Sequence, residues 1–358
     1  MSYSSALWAE PEAQDASPTP ETEEALSLDT EVNVPEFIES TAPAEPVAEV
    51  PVTTVIPADP IEPPPIEIVE IMLDWYPSPQ HAALMIAIEQ GLFAELGLDV
   101  TLITPGDPSL PSKMLAAGEV DFALTRQPLL HLQAHQGTPL VRIATLIETS
   151  LTAVIVAGSS LDETPPAALH YGYSTLDSRD VLLSYLRSRT SPRADDPAPE
   201  LLHFNVANAL REERVEAVAD GFFHYLPTQL ETDGIANTVI RHEALDIPRH
   251  EGLVMIANQE HLRRQRDTIV RLIGALEEAS HWMVEHPEEA WELLVQARPV
   301  LDNSVNQEAW TDILHRVALR PAALDYAGYA RFESFLHEAG LVDTPLPVER
   351  LALDPYAL

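Results

Sequence analysis

Apolar positions at Ile66, Ile68, Ile71 and Leu73 make a run of strand length that stops at the loop Asp74, Trp75, Tyr76, Pro77, Ser78, Pro79. From Gln80 onward Ala83, Leu84, Ile86, Ala87, Ile88, Leu92 and Phe93 recur at helical spacing. Gly97 ends that helix, and the strand Leu98 to Ile103 follows. Strand, helix and strand within about thirty residues form a parallel βαβ unit. The pattern repeats in a helix over Pro111 to Ala117, closed by Gly118, and a strand over Val120 to Leu124. Ligands of such open sheets collect beyond the carboxyl ends of the strands, where Asp74 to Gln80 and Thr125 to Pro128 must lie.

The same reading continues down the chain. A helix is expected over Pro128 to Gln136, and the strands Leu140 to Thr145 and Thr152 to Ala157 are expected to complete a first lobe. The turn-rich segment GSSLDETPPAA is read as the crossing into a second α/β lobe. That lobe is expected to hold the strand Leu169 to Tyr173, a helix Asp177 to Arg189, the loop TSPRADDPAPE, a strand Leu201 to Phe204, a helix Ala207 to Arg214, a strand Ala217 to Ala219 and a helix near Pro227. Val254 to Asn258 reads as the return strand, and the chain from Glu260 onward as helical, with Trp282 and Trp291 in amphipathic runs. Two α/β lobes joined by two crossings make a hinged clam that closes on a ligand. The expected division is 66–160 for the first part of lobe one, 161–252 for lobe two, and 253–358 for the return to lobe one with its C-terminal helices.

Composition changes this picture at the N-terminus. Residues 1–70 contain no Lys, Arg or His, 16 acidic residues and 12 prolines, too little apolar and too much charged surface to pack. Residues 1–65 are therefore expected to be a disordered acidic, Pro-rich tail. Over all 358 residues the formal net charge is −37, which argues against nucleic acid as a partner, because phosphate backbones are bound by an excess of Lys and Arg. Lys113 is the lone lysine; this fits either a protein working in high salt, where screening quenches self-repulsion, or a GC-rich genome. With no cysteine there is neither a disulfide framework nor a thiolate nucleophile. The first residues show no basic, apolar leader of signal-peptide form, and no run of about 18 apolar residues is present to span a membrane.

The segments LDWYPSPQHA, AIEQGLFAELGLDV, ITPGDPS, MLAAGEVDFAL and TRQPLL, in this order between Leu73 and Leu130, resemble the thiamine-pyrimidine-precursor (NMT1/THI5-like, SsuA/THI5-like) family of ABC-importer solute-binding proteins. The resemblance implies an α/β, type II periplasmic-binding-protein fold with a hinged ligand cleft. It also implies a monomer that captures an aminopyrimidine of hydroxymethylpyrimidine or formylaminopyrimidine type, works in the periplasm or cell envelope, and hands its ligand to a permease. A cytoplasmic sensor or adaptor on the same fold, and binding of another solute such as a sulfonate, stay open as alternatives. The wider group includes a thiamine-pyrimidine synthase. Its cofactor lysine falls at Thr125, its substrate histidine at Leu129 and its Cys-rich segment just before Leu253, none of which is matched here. No enzymatic activity and no cofactor are expected.

Chemistry and position together nominate the binding residues. Trp75 and Tyr76 offer ring faces to a flat heteroaromatic, with one of the two expected to face it, since consecutive strand-end side chains diverge. Asp74 and Glu251 could accept hydrogen bonds from an exocyclic amine, as carboxylates of the resembled family do. Ser78 lies on the same loop. His81 matches the family histidine and serves either to bind ligand or to cap the following helix. Thr125 and Gln127 suit polar ring atoms, and Tyr173, Asn205 and Phe222 are the expected contributions of lobe two. Arg126 departs from the family pattern and is read as a surface arginine rather than a partner for an anionic ligand. His131 and His135, at i and i+4, and the group His242, Glu243, His250 and Glu251 lack the further ligands that a zinc site needs, so no metal is expected.

Overall fold

The computed structural model describes residues 66–158, 168–189 and 197–357. The expected acidic tail lies outside the described residues, as do most of the segment GSSLDETPPAA and most of the loop TSPRADDPAPE.

Among the described residues, two five-stranded sheets are built on one plan. In the first, β1 (Glu67–Met72) pairs in parallel with β2 (Leu98–Ile103) and β3 (Phe122–Thr125). The sheet continues to β10 (Leu253–Asn258), antiparallel to β3 and to β4 (Leu140–Ile147), in the order β2-β1-β3-β10-β4. The second sheet has the order β7-β6-β8-β5-β9, with β5 (Thr152–Ala157), β6 (Tyr171–Tyr173), β7 (Glu200–Leu201), β8 (Ala217–Phe222) and β9 (Asn237–Arg241). In each sheet one strand that arrives from the other lobe, β10 in the first and β5 in the second, runs antiparallel to both of its neighbours. The chain crosses between sheets twice, at 148–151 and at 242–252.

Several expectations are corrected. Thr152–Ala157 does not complete lobe one; it pairs with β8 and β9 in the second sheet. Alternation identifies a strand but not the sheet it joins. Val69, Ile71 and Leu73 form the inward face of β1, whereas Ile66 and Ile68 are exposed. The helix after Gln80 is interrupted at Gly91, whose φ of +75° turns the chain between Ala82–Glu89 and Leu92–Glu95. β8 extends past Ala219 to Phe222. The helix Tyr326–Glu338 does not belong to lobe one alone: Tyr329 packs beside Ala134, while Phe332, Phe335 and Leu336 enter the core of the second sheet with Val154, Tyr171 and Leu182.

The two crossings touch backbone to backbone. Gly252 donates its N–H to the Ile147 carbonyl at 2.9 Å, and a Cβ at position 252 would collide with the Thr149 carbonyl. Gly252→Ala is therefore expected to force the crossings apart and lower stability by roughly 1–3 kcal/mol. Gly274→Ala, within the helix Leu262–Glu285 where an added Cβ meets nothing, should be stabilising by up to about 1 kcal/mol. Urea unfolding of the two variants checks both signs.

Candidate functional site

The carboxyl ends of β1 and β3 face the second lobe across a narrow slot. Asp74, Trp75, Thr125, Arg126 and Leu129 line it from one side, and Ser174, Thr175, Asp220 and Phe222 from the other. Trp75 sits edge-on to Phe222 (centroids 5.3 Å apart) and to Phe204 (4.6 Å). The free volume of the slot is about 20 Å³, room for about one water molecule and far too little for a ring-sized solute. Admission of any solute thus requires the lobes to part.

The polar wall has three parts. On the Asp74 carboxylate, Oδ1 accepts from the His81 ring at 2.8 Å and from Gln80 Nε2 at 3.2 Å, leaving Oδ2 with one longer contact to Gln80 at 3.4 Å. The hydroxyls of Thr125 and Ser174 are buried without a hydrogen-bond partner, unusual for groups whose desolvation goes uncompensated. Between the lobes, the Arg126 guanidinium lies 3.1 Å from Asp177 and 3.6 Å from Asp220. The surface role expected for Arg126 is thus corrected: its side chain is 11% exposed, and it bridges the lobes because both carboxylates come from lobe two.

Of the residues nominated from the sequence, Asp74, Trp75, Thr125 and Phe222 come together at the slot. Tyr76 is half exposed and 4.4 Å from Phe204, beside an adjoining groove with Arg211 and Gln229 that shares Trp75, Asp220 and Phe222 with the slot. His81 is fully buried; its Nδ1 accepts the Ser78 backbone N–H at 3.2 Å while its Nε2–H holds Asp74. His81 and Ser78 therefore shape the loop that carries Trp75. Tyr173 is packed in the core of lobe two, and Asn205 is exposed ahead of the helix Val206–Arg211. Asp220, Ser174 and Thr175 were missed. The available signal was a lone acid within the apolar run AVADGF.

Gln127 and Glu251 belong to a different constellation. Gln127 Oε1 accepts the Glu251 backbone N–H at 2.7 Å, and its amide nitrogen lies 3.1 Å from His131 Nε2. The Glu251 carboxylate accepts from Thr145 Oγ1 and from the Tyr329 hydroxyl, each at 2.7 Å. These residues border a recess of about 550 Å³ beside the crossings. It is larger than the slot, yet it has no wall from β6 or β8, so the slot, walled by both lobes, is the better candidate. His131 and His135 both reach Glu333, at 2.6 and 3.0 Å. Among the described residues no group of three or more His, Cys, Asp or Glu is arranged to hold a metal.

His242 and His250 stack at 5.7 Å in the second crossing. Burial, then the neighbouring His250 and, opposed by a bond to the Ala219 carbonyl, the Arg126 and Arg241 charges bring the pKa of His242 down to about 3. Burial takes His224 down to about 4, Asp312 opposing and Arg316 assisting. Unfolded imidazoles titrate near 6.5. Below that pH the unfolded chain binds more protons than the folded one, so each buried neutral histidine removes stability at about 1.4 kcal/mol per pH unit as pH falls. The loss is complete at about pH 4 for His224 and about pH 3 for His242. His242→Gln is expected to lose about 2 kcal/mol less than the parent between pH 7 and pH 5, as read by urea unfolding at the two pH values.

Comparison with known proteins agrees with the two-sheet architecture. The family described as NMT1/THI5 like matches residues 78–290. A putative thiamine biosynthesis protein of Haemophilus influenzae is 31% identical over 80% of this chain and 92% of its own length. The formylaminopyrimidine-binding protein of Halalkalibacterium halodurans is 27% identical over 70% of this chain and 78% of its own. Among solved structures, the ligand-binding component of an ABC-type import system from Staphylococcus aureus superposes with a TM-score of 0.62 at 16% identity, covering 81% of this chain and 98% of that one. With its type II periplasmic-binding-protein fold and this span of matched sequence, the chain belongs to the NMT1/THI5-like family.

Proposed function

We propose that this protein is the solute-binding component of an ABC importer, and that it captures a thiamine-related aminopyrimidine of hydroxymethylpyrimidine or formylaminopyrimidine type between its lobes. The observation that carries this reading is the presence of an aromatic ring from each lobe, Trp75 and Phe222, together with the unpartnered hydroxyls of Thr125 and Ser174 and the Asp74 carboxylate on one slot. A flat ring with amine donors and ring-nitrogen acceptors uses each of these groups. The relative that bears formylaminopyrimidine binding in its name supports the same ligand class. A sulfonate is a poorer fit, since the Arg126 charge is already matched by Asp177 and Asp220, and Asp74 adds another negative charge.

On this reading the chain catalyses nothing. The positions that the resemblance assigns to the synthase's lysine and histidine, Thr125 and Leu129, both line the slot and supply neither an amine nor an imidazole. The protein would act as a monomer at the cell envelope and deliver its ligand to a permease.

The test is a thermal-shift and titration series on the full chain, in low and molar salt, against aminopyrimidines, thiamine, pyridoxal phosphate and sulfonates. A ligand at 100 times its Kd adds about 2.7 kcal/mol and raises the midpoint visibly. The aminopyrimidine is expected to do so. A shift with sulfonates and none with aminopyrimidines would overturn the proposal.

A further inference from the structure

Asp220 occupies a corner of the slot whose chemistry suits an oxyanion. The Ser174 N–H donates to both of its oxygens, at 3.1 and 2.9 Å, and the Thr175 N–H to Oδ2 at 3.1 Å. The hydroxyls of Thr175 and Ser178 add bonds to Oδ2 at 3.2 and 2.9 Å, and the Arg126 guanidinium stands 3.6 Å away. The carboxylate is almost wholly buried, with 1% of its side chain exposed. Successive backbone N–H groups, hydroxyls and a guanidinium converging on one point are what a phosphate or sulfonate needs. Here the donors are met by the protein's own anion.

We propose that Asp220 is a built-in anion that fills the oxyanion-accepting corner of the slot and restricts the ligand to uncharged or cationic aminopyrimidines, so that phosphate monoesters and sulfonates are rejected. The proposal rests on the aminopyrimidine reading for its ligand and on the Asp220 contacts for its selectivity. A phosphoryl group brought to this corner would meet a desolvated carboxylate and find the donors taken. Such repulsive placement discriminates by making the wrong ligand worse rather than the right one better. The same contacts would let a neutral hydroxymethyl or formyl group stay, since it needs no donors beyond the free Ser174 and Thr125 hydroxyls.

The experiment uses the full chain in two assays. Titration compares a hydroxymethylpyrimidine with its phosphate monoester, and thermal shift follows inorganic phosphate on the parent, Asp220→Ser and Asp220→Ala. The parent is expected to bind the alcohol about 100-fold more tightly than the ester, given that like-charge contact costs several kcal/mol, and to show no shift with phosphate. The Ser and Ala variants are expected to gain a phosphate-dependent rise in midpoint and to lose most of the preference for the alcohol. Equal binding of ester and alcohol by the parent, a phosphate shift in the parent, or a folded variant without a phosphate shift would each overturn the role of Asp220. If the parent binds neither pyrimidine, the aminopyrimidine reading falls, while the phosphate shifts still decide on Asp220. If neither variant folds, the parent's response to phosphate and to the two pyrimidines decides.

Discussion

Trp75→Ala is expected to weaken aminopyrimidine binding about 30- to 150-fold, or about 2–3 kcal/mol. Stacking against one face of the indole removes roughly 60 Å² of apolar surface from water, worth about 1.5 kcal/mol at 25 cal/mol per Å². The ring–ring geometry adds about 0.5–1.5 kcal/mol. Trp75 also meets Phe204 and Phe222 of lobe two, so its loss weakens closure as well as contact. Calorimetric titration should show most of the affinity kept in Trp75→Phe, and a smaller change in Tyr76→Ala, whose ring lines the adjoining groove and not the slot. An unaltered Kd in Trp75→Ala would remove the slot from consideration, and a matching loss in Glu251→Ala would direct attention to the recess beside the crossings.

For stability, the largest expected loss is at Arg142, not at any slot residue. Its side chain is completely buried on β4. The guanidinium donates to Thr145 Oγ1 at 3.1 and 2.6 Å, to the carbonyls of Pro321 at 3.0 Å and Ala322 at 3.1 Å, and to that of Ala323. It lies 3.8 Å from the Glu251 carboxylate. Arg142→Met keeps comparable volume but strands three carbonyls and leaves Glu251 without its counter-charge. The expected cost is about 3–5 kcal/mol, a large share of the 5–15 kcal/mol that holds a typical domain together. Urea unfolding measures it, and Arg142→Met combined with Glu251→Gln should recover part of the loss because the orphaned charge is gone. A deficit under about 1 kcal/mol in the single variant would contradict this account.

Local pattern carried the first lobe well. The βαβ repeats, the loop after β1 and the positions of Trp75 and Thr125 follow from spacing, because strand ends in such sheets have a fixed role. What the pattern could not reach were facts that depend on distant partners. Arg126 read as a surface residue since Asp177 lies 51 positions along the chain. Nothing beside Glu251 in the sequence announces Tyr329, 78 positions along the chain. Strand β5 carries the same apolar signal in either sheet, and only its pairing with β8 and β9 assigns it. Asp220 is hidden for a related reason: as a polar residue it interrupts the apolar run after Ala219, although the strand's backbone continues to Phe222.

The bridge from Arg126 to Asp177 and Asp220 has a kinetic consequence. It is made of protein atoms alone, so closing the lobes has a driving force of its own, and a solute gains entry only during excursions to an open form. If that form holds a fraction f of the population, the apparent dissociation constant is the intrinsic one divided by f. The association rate then levels off at the opening rate as ligand concentration rises. Part of the affinity is thereby exchanged for slow release: a captured molecule escapes no faster than the bridge breaks, and on the importer reading proposed above a permease that pulled Arg126 away from its two carboxylates would set when the cargo leaves.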